Sequence, residues 1–238
     1  MHKVLDLFAG IGGFSLGLEK TGYFKTIAFC ENDTAATRIL KKHWQDVPIF
    51  DDIRNLTNEK LKTAGIVPSV ITGGFPCTDA SKCAAGKQCG IIGERSGLWT
   101  EMFRIVKNAR PAWVIIENVS ALRSKGLTLV LQNLCEIGYM SEFHCIPASY
   151  FGAWHHRSRV WILARCDTNC KSEPIVTVHD EAQRMQEYAR YNQWAKPPTE
   201  SAVLGVAHGI PQRVDRLRLL GNSVVPQIVE YLGKQRKK

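Results

Sequence analysis

No apolar run in this 238-residue chain is long enough to span a bilayer, and Met1-His2-Lys3 leads straight into a strand pattern without signal-peptide character. A membrane protein is therefore not expected, and a cytosolic one is. An acidic excess is also missing: 31 Lys plus Arg against 22 Asp plus Glu leave a net charge of +9, which favours a polyanionic partner without requiring one. Internal repeats are absent, which argues against a solenoid. The eight cysteines show no tight metal-site clustering. Cys166, Cys170 and His179 come nearest to a ligand set, and no metal is assigned. Without a secretion signal the thiols are expected to stay reduced, Cys83 and Cys89 included. The length suits one domain with a substantial core, alone or with a small appendage.

What is present is organised around Gly73-Gly74-Phe75-Pro76-Cys77-Thr78-Asp79-Ala80-Ser81, just after the apolar run Val70-Ile71-Thr72. A β-branched run stopping at a glycine pair reads as a buried strand opening into a loop at its carboxyl end, where open α/β sheets place their chemistry. A lone Cys after a strand is ordinarily a small buried hydrophobe. Pro76, however, cannot continue the strand, so Cys77 is expected to stand at a turn. Glu117-Asn118-Val119 follows another apolar run, Trp113 to Ile116, and Arg157-Ser158-Arg159 leads into a third. A thiol, a carboxyl and two guanidiniums at strand mouths make a site if those strands are neighbours.

Along the chain, Val4 to Phe8 reads as a strand ending in Ala9-Gly10-Ile11-Gly12-Gly13 before a helix. This is a nucleotide-binding opening without the glycine spacing of the pyrophosphate fingerprint, so S-adenosylmethionine is equally compatible. Thr26 to Cys30 ends at Glu31, which either accepts ribose hydroxyls or caps the helix led by Asp33. A third strand near Pro48-Ile49-Phe50 gives Asp51 and Asp52. Residues 78 to 93 carry no periodicity and read as a lid-like loop, with Lys82 and Lys87 either meeting phosphates or simply solvated. Helices are expected from about Arg95 and around Leu127 to Leu134, then strands Ser141 to Pro147 and Arg159 to Ala164. Alternating β and α units followed by two adjacent strands predict an α/β fold with a mostly parallel sheet ending in a hairpin. The alternation breaks from Cys166, giving a small insert at 166–201 between the main segments 1–165 and 202–238. A basic run, Arg213, Arg216 and Arg218, then precedes Gly221-Asn222-Ser223-Val224-Val225-Pro226 and a last helix.

The motifs Asp6 to Phe14, Gly73 to Ser81, Glu117-Asn118-Val119, His156 to Arg159 and Gly221 to Pro226 together resemble, in order, those of the DNA cytosine-5 methyltransferases, most closely the small bacterial and bacteriophage members. The resemblance spans everything except the insert. It implies the S-adenosylmethionine-dependent, Rossmann-like fold, with a mostly parallel seven-stranded sheet and a terminal antiparallel hairpin strand. It also implies methyl transfer from S-adenosyl-L-methionine to carbon 5 of a flipped-out cytosine in a short duplex DNA site. By the same resemblance Cys77, Glu117, Arg157 and Arg159 are catalytic. Phe8, Gly10, Gly13, Glu31, Asp52, Ile53, Pro76, Leu98, Asn222 and Ser223 line the cofactor site, with Glu31 on the ribose and Asp52 on the adenine amino group. Ser81, Lys82 and Lys87 meet the substrate, and the insert reads the sequence. A monomer in the bacterial cytosol, acting at the nucleoid, is implied, with a cognate restriction endonuclease that forms no stable complex with it. The same reaction on RNA and a catalytically idle nucleic-acid binder are the alternatives. Trp154-His155 departs from the family's usual Pro-Gln, the loop after Ser81 is about two residues longer than usual, and the short insert implies a short recognition site.

Overall fold

The computed structural model describes residues 1–76, 97–153, 155–166 and 213–235. Its seven-stranded sheet is built from β1 (His2–Leu7), β2 (Phe24–Cys30), β3 (Ile49–Phe50), β4 (Val70–Gly73), β5 (Trp113–Val119), β6 (Tyr139–Pro147) and β7 (Ser158–Cys166), in the order β3-β2-β1-β4-β5-β7-β6. β3, β2, β1, β4 and β5 run parallel, whereas β7 is antiparallel to both β5 and β6. This is the mostly parallel sheet with a terminal hairpin that the β/α alternation predicts. The last strand reaches Cys166, so the first residue of the expected insert belongs to the sheet.

The helices are α1 (Gly13–Glu19), α2 (Thr34–His43), α3 (Asn58–Thr63), α4 (Gly97–Ala109), α5 (Leu122–Lys125), α6 (Leu127–Glu136), α7 (Arg213–Asn222) and α8 (Pro226–Gln235). Because side chains alternate across a strand, the apolar runs supply two cores at once. Leu5, Leu7, Ile71, Val114, Ile116, Val160 and Ile162 face α4 and α6, where Trp99, Met102, Ile105, Val130 and Leu134 complete one core. Val4, Val70, Ile115, Trp161 and Leu163 face α1 and α8, packing with Phe14, Leu18, Ile228 and Leu232.

The topology decides where chemistry can sit. β1 lies between β2 and β4, so successive connections leave it in opposite directions, and this switch point opens a crevice at the carboxyl ends of the strands. Phe8–Gly12, Glu31, Asp52 and Gly74–Pro76 all follow parallel strands onto that edge. Since β7 is antiparallel, its amino end reaches the same edge, and Arg159 lies opposite Val119. A parallel seventh strand would have sent the two arginines to the opposite side of the molecule.

Candidate active site at the carboxyl edge of the sheet

Glu117 sits inside β5 rather than in the loop beyond it, opposite Trp161 of β7. Trp161 is fully buried and Glu117 is only 8% exposed. Directly opposed side chains in an antiparallel pair are about 5 Å apart at Cβ, so the carboxyl starts from a buried cross-strand position beside Trp161. Burial raises the Glu117 pKa from 4.5 to about 7, while Arg159 and Arg157 oppose the rise. The Arg159 Nε lies 3.0 Å from Glu117 Oε1. The carboxyl is therefore poised to hold a proton near neutrality beside a cation that can accept its charge when the proton leaves.

The loop leading to Cys77 is pressed against this pair. A Cβ at Gly74 would lie 3.2 Å from Glu117 Oε2, so glycine lets the backbone approach the carboxyl without displacing it. Asn118 Nδ2 donates to the Phe75 carbonyl at 2.9 Å, a buried hydrogen bond, while Asn118 Oδ1 accepts from the Val119 N–H at 2.8 Å. Asn118 of β5 thus anchors the chain two positions before Cys77. Cys77 itself, with Ser81, Lys82, Lys87 and the 78–93 loop, lies outside the described residues.

On the other side of the crevice, the turn after β1 places Phe8 (φ 53°) and Gly10 (φ 54°) in the left-handed region, and nothing comes within 4 Å of a Cβ placed on Gly10. Glu31 Oε2 accepts from the Gly10 N–H at 2.7 Å, and Oε1 accepts from the Asp33 N–H at 2.8 Å. Asp33, not Glu31, caps α2, accepting from the Ala35 and Ala36 N–H groups. Beneath the turn, fully buried Asp6 accepts from Thr72 Oγ1 at 2.7 Å and Ser15 Oγ at 2.9 Å, joining β1, β4 and α1. Burial raises its pKa to about 7.

Other expected cofactor residues are placed less openly. Asp52 is engaged by Arg54, whose Nη2 lies 2.6 Å from Asp52 Oδ2, and that pairing lowers the Asp52 pKa. An adenine amino group would have to share this carboxylate with a guanidinium. Ile53 is 4% exposed and belongs to the core, with half-buried Leu98 packed against that core. Pro76 and Asn222 are exposed. Gly13 is buried, and a Cβ there would come 2.7 Å from Val224 Cγ2 and 2.9 Å from Ser223 Oγ, so its role is close packing of α1 on the 223–224 segment. Arg157, expected to be catalytic with Arg159, has its Nη2 directed at the Gly221 carbonyl (2.7 Å) and the Ser223 carbonyl (2.8 Å). Burial and nearby Arg159 push its pKa below the usual guanidinium value, and Glu117 offsets part of that shift.

The strand end that leads to Cys77, a protonatable buried carboxyl with its arginine, and a glycine turn facing an acidic strand end are thus drawn to one edge. Residues 2–203 match the family profile of the C-5 cytosine-specific DNA methylases. The chain belongs to this family. Type II methyltransferase M2.BsuMI of Bacillus subtilis (strain 168) is 38% identical over 170 residues, covering 68% of this chain and 41% of that protein. Type II methyltransferase M.CviJI of Paramecium bursaria Chlorella virus IL3A is 32% identical over 232 residues, covering 96% of this chain and 58% of that protein. The chain therefore spans about half the length of these curated relatives. A crystal structure of a DNMT2 mutant from Spodoptera frugiperda shares the fold, with a TM-score of 0.66 over 98% of this chain and 99% of that one at 16% identity.

C-5 methylases use S-adenosyl-L-methionine, and the residues at the β1 and β2 ends fit it. Each Glu31 oxygen carries one backbone N–H and retains a second acceptor direction, which suits the two hydroxyls of a ribose. The open space at Gly10 leaves backbone accessible beside that carboxylate. Sequence reasoning gave Asn118, Thr72 and Ser15 no individual role. Asn118 carried a signal, being polar and adjacent to Glu117 at a strand end. Thr72 and Ser15 carried none, because their partner Asp6 is distant along the chain and only the fold brings them together.

Proposed function

We propose that the chain is a DNA cytosine-5 methyltransferase that adds the Cys77 thiolate to carbon 6 of a flipped-out cytosine. The observation that carries this reading is the buried Glu117 carboxyl, raised to a pKa of about 7, 3.0 Å from Arg159 and against Gly74 of the Cys77 loop. Carbon 5 of cytosine is a poor nucleophile, and thiolate addition turns the ring into an enamine. Glu117 donates its proton or a hydrogen bond at ring nitrogen 3, relieving the electron density that attack creates. Arg159 balances the resulting carboxylate and holds the base oxygen or a neighbouring phosphate. S-adenosyl-L-methionine supplies the methyl group as an electrophilic sulfonium methyl. Glu31 orients it through the ribose, with Phe8, Gly10, Leu98, Asn222 and Ser223 around it. A base or water then takes the carbon 5 proton, the 5,6 double bond re-forms, and the bond from carbon 6 to sulfur breaks to release Cys77 as its thiolate.

Because these groups cannot reach a stacked base, the substrate is duplex DNA from which cytosine is extruded. Ser81, Lys82 and Lys87 contact the strand, and the insert at 166–201 reads a short site. The enzyme works as a monomer in the cytosol, at the nucleoid, and without a stable complex with any cognate restriction endonuclease. The test is transfer of labelled methyl to mixed-sequence duplex DNA, with bisulfite mapping, for the native chain and Cys77→Ser. Label at carbon 5 of cytosine that disappears in the variant is expected. Transfer to an RNA pool alone, or none by a chain that still binds the cofactor, would refute the DNA reading.

A further inference from the structure

We infer that Arg157 is a positioning residue that caps α7 and clamps the segment carrying Asn222 and Ser223 over the amino end of α1, acting on cofactor binding rather than on the cytosine. The cofactor part of this inference rests on the function proposed above.

Both N–H groups of Arg157 Nη2 have carbonyl partners, Gly221 at 2.7 Å and Ser223 at 2.8 Å. Gly221 lies in the last turn of α7, where helix carbonyls have no partner within the helix and where a cation is favoured by the helix dipole. The guanidinium reaches across from the amino end of β7, 64 and 66 residues away in sequence. Its own backbone is held for the purpose: Arg157 has φ 30°, an uncommon conformation for a side-chain-bearing residue, and the carbonyls of His156 and Arg157 both accept from the Ala148 N–H. The clamped segment has little freedom on its other face. Ser223 and Val224 lie so close to Gly13 that a single methyl there would overlap them. α8 then starts at Pro226 and packs Ile228, Val229 and Leu232 into the core shared with α1.

Arg157 and Arg159 therefore divide the work of one short motif. Arg159 is paired with Glu117 at the base side, whereas Arg157 faces the segment that returns beside the glycine turn. Losing Arg157 keeps the contact of Arg159 with Glu117 while removing the second cation that acts on that carboxyl, and it frees the α7–α8 turn and with it the Asn222 and Ser223 positions.

Two measurements on the full chain, made without DNA, test this. The first is amide hydrogen exchange of the native chain, Arg157→Met and Arg157→Lys. Exchange of residues 219–226 is expected to quicken at least about tenfold in the Met variant and less in the Lys variant, whose ammonium can still donate to a carbonyl, with 113–119 unchanged. The second is calorimetric affinity for S-adenosyl-L-homocysteine. It is expected to weaken about tenfold or more in Arg157→Met, to recover in part in Arg157→Lys, and to stay native in Arg159→Lys. Unchanged exchange at 219–226 would overturn the clamp. Native cofactor affinity in Arg157→Met would overturn its assignment to the cofactor side. A native chain that binds no cofactor would instead sink the function proposed above, and the exchange comparison would still decide the clamp.

Discussion

Glu117→Gln separates the cost of burying the carboxyl from its use. Burial lifts the pKa from 4.5 to about 7, so the folded chain holds this proton more tightly than the unfolded chain. Stability from this group is complete below the unfolded value and is lost as pH rises through the folded one. At about 1.4 kcal/mol per pKa unit, the loss amounts to roughly 3 kcal/mol between about pH 4.5 and 7. Glutamine carries no titrating proton, so the Glu117 part of the slope should vanish in the variant, leaving the part of the same sign and similar steepness that Asp6 contributes, its pKa being raised from 3.8 to about 7. Urea unfolding at intervals from about pH 5 to 8 reads the difference directly. The native and variant curves should diverge as pH rises; parallel curves would refute the assignment of a raised pKa to Glu117. The amide also cannot release a proton to the ring, so kcat should fall about 10²–10⁴-fold even where the variant is as stable as the native chain. Undiminished turnover would remove Glu117 from the chemistry.

Other substitutions probe the supports of the site. Asn118→Ala removes the donor to the Phe75 carbonyl and strands a buried acceptor. It should cost about 1–3 kcal/mol in urea unfolding and lower kcat/KM more than about tenfold, because the Cys77 loop loses its anchor. Gly74→Ala places a methyl 3.2 Å from Glu117 Oε2, and Arg159 holds that carboxyl in place through its other oxygen, Oε1. Steady-state kinetics should show kcat reduced about tenfold or more with a small change in melting temperature. Gly13→Ala drives a methyl to 2.7 Å from Val224 Cγ2 and 3.0 Å from the Val224 carbonyl. A loss of about 1–3 kcal/mol on unfolding and weaker cofactor binding by calorimetry are expected.

The helices α3, α5 and α7 were not legible in the sequence, but the order of the strands was, because buried parallel strands must be nearly continuous apolar runs and the glycine pairs and acidic residues punctuate their ends. So were the residue types of the site: Glu31, Gly74 and Glu117 each stand where an apolar run stops or turns polar. Boundaries were less legible. Glu117 belongs inside β5 because its strand partner Trp161 continues the ladder, and pairing depends on residues more than 40 positions away. What tertiary structure alone decided was which of these groups meet. Only the antiparallel insertion of β7 beside β5 brings Arg159 to Glu117, and only cross-strand burial turns an ordinary carboxyl into one that keeps its proton near pH 7. The two arginines of Arg157-Ser158-Arg159 look equivalent in sequence. They part because Arg157, at the turn before β7, has a left-handed backbone and faces helix carbonyls, while Arg159, in the strand, faces a carboxyl, and these environments are set by contacts that spacing along the chain does not encode.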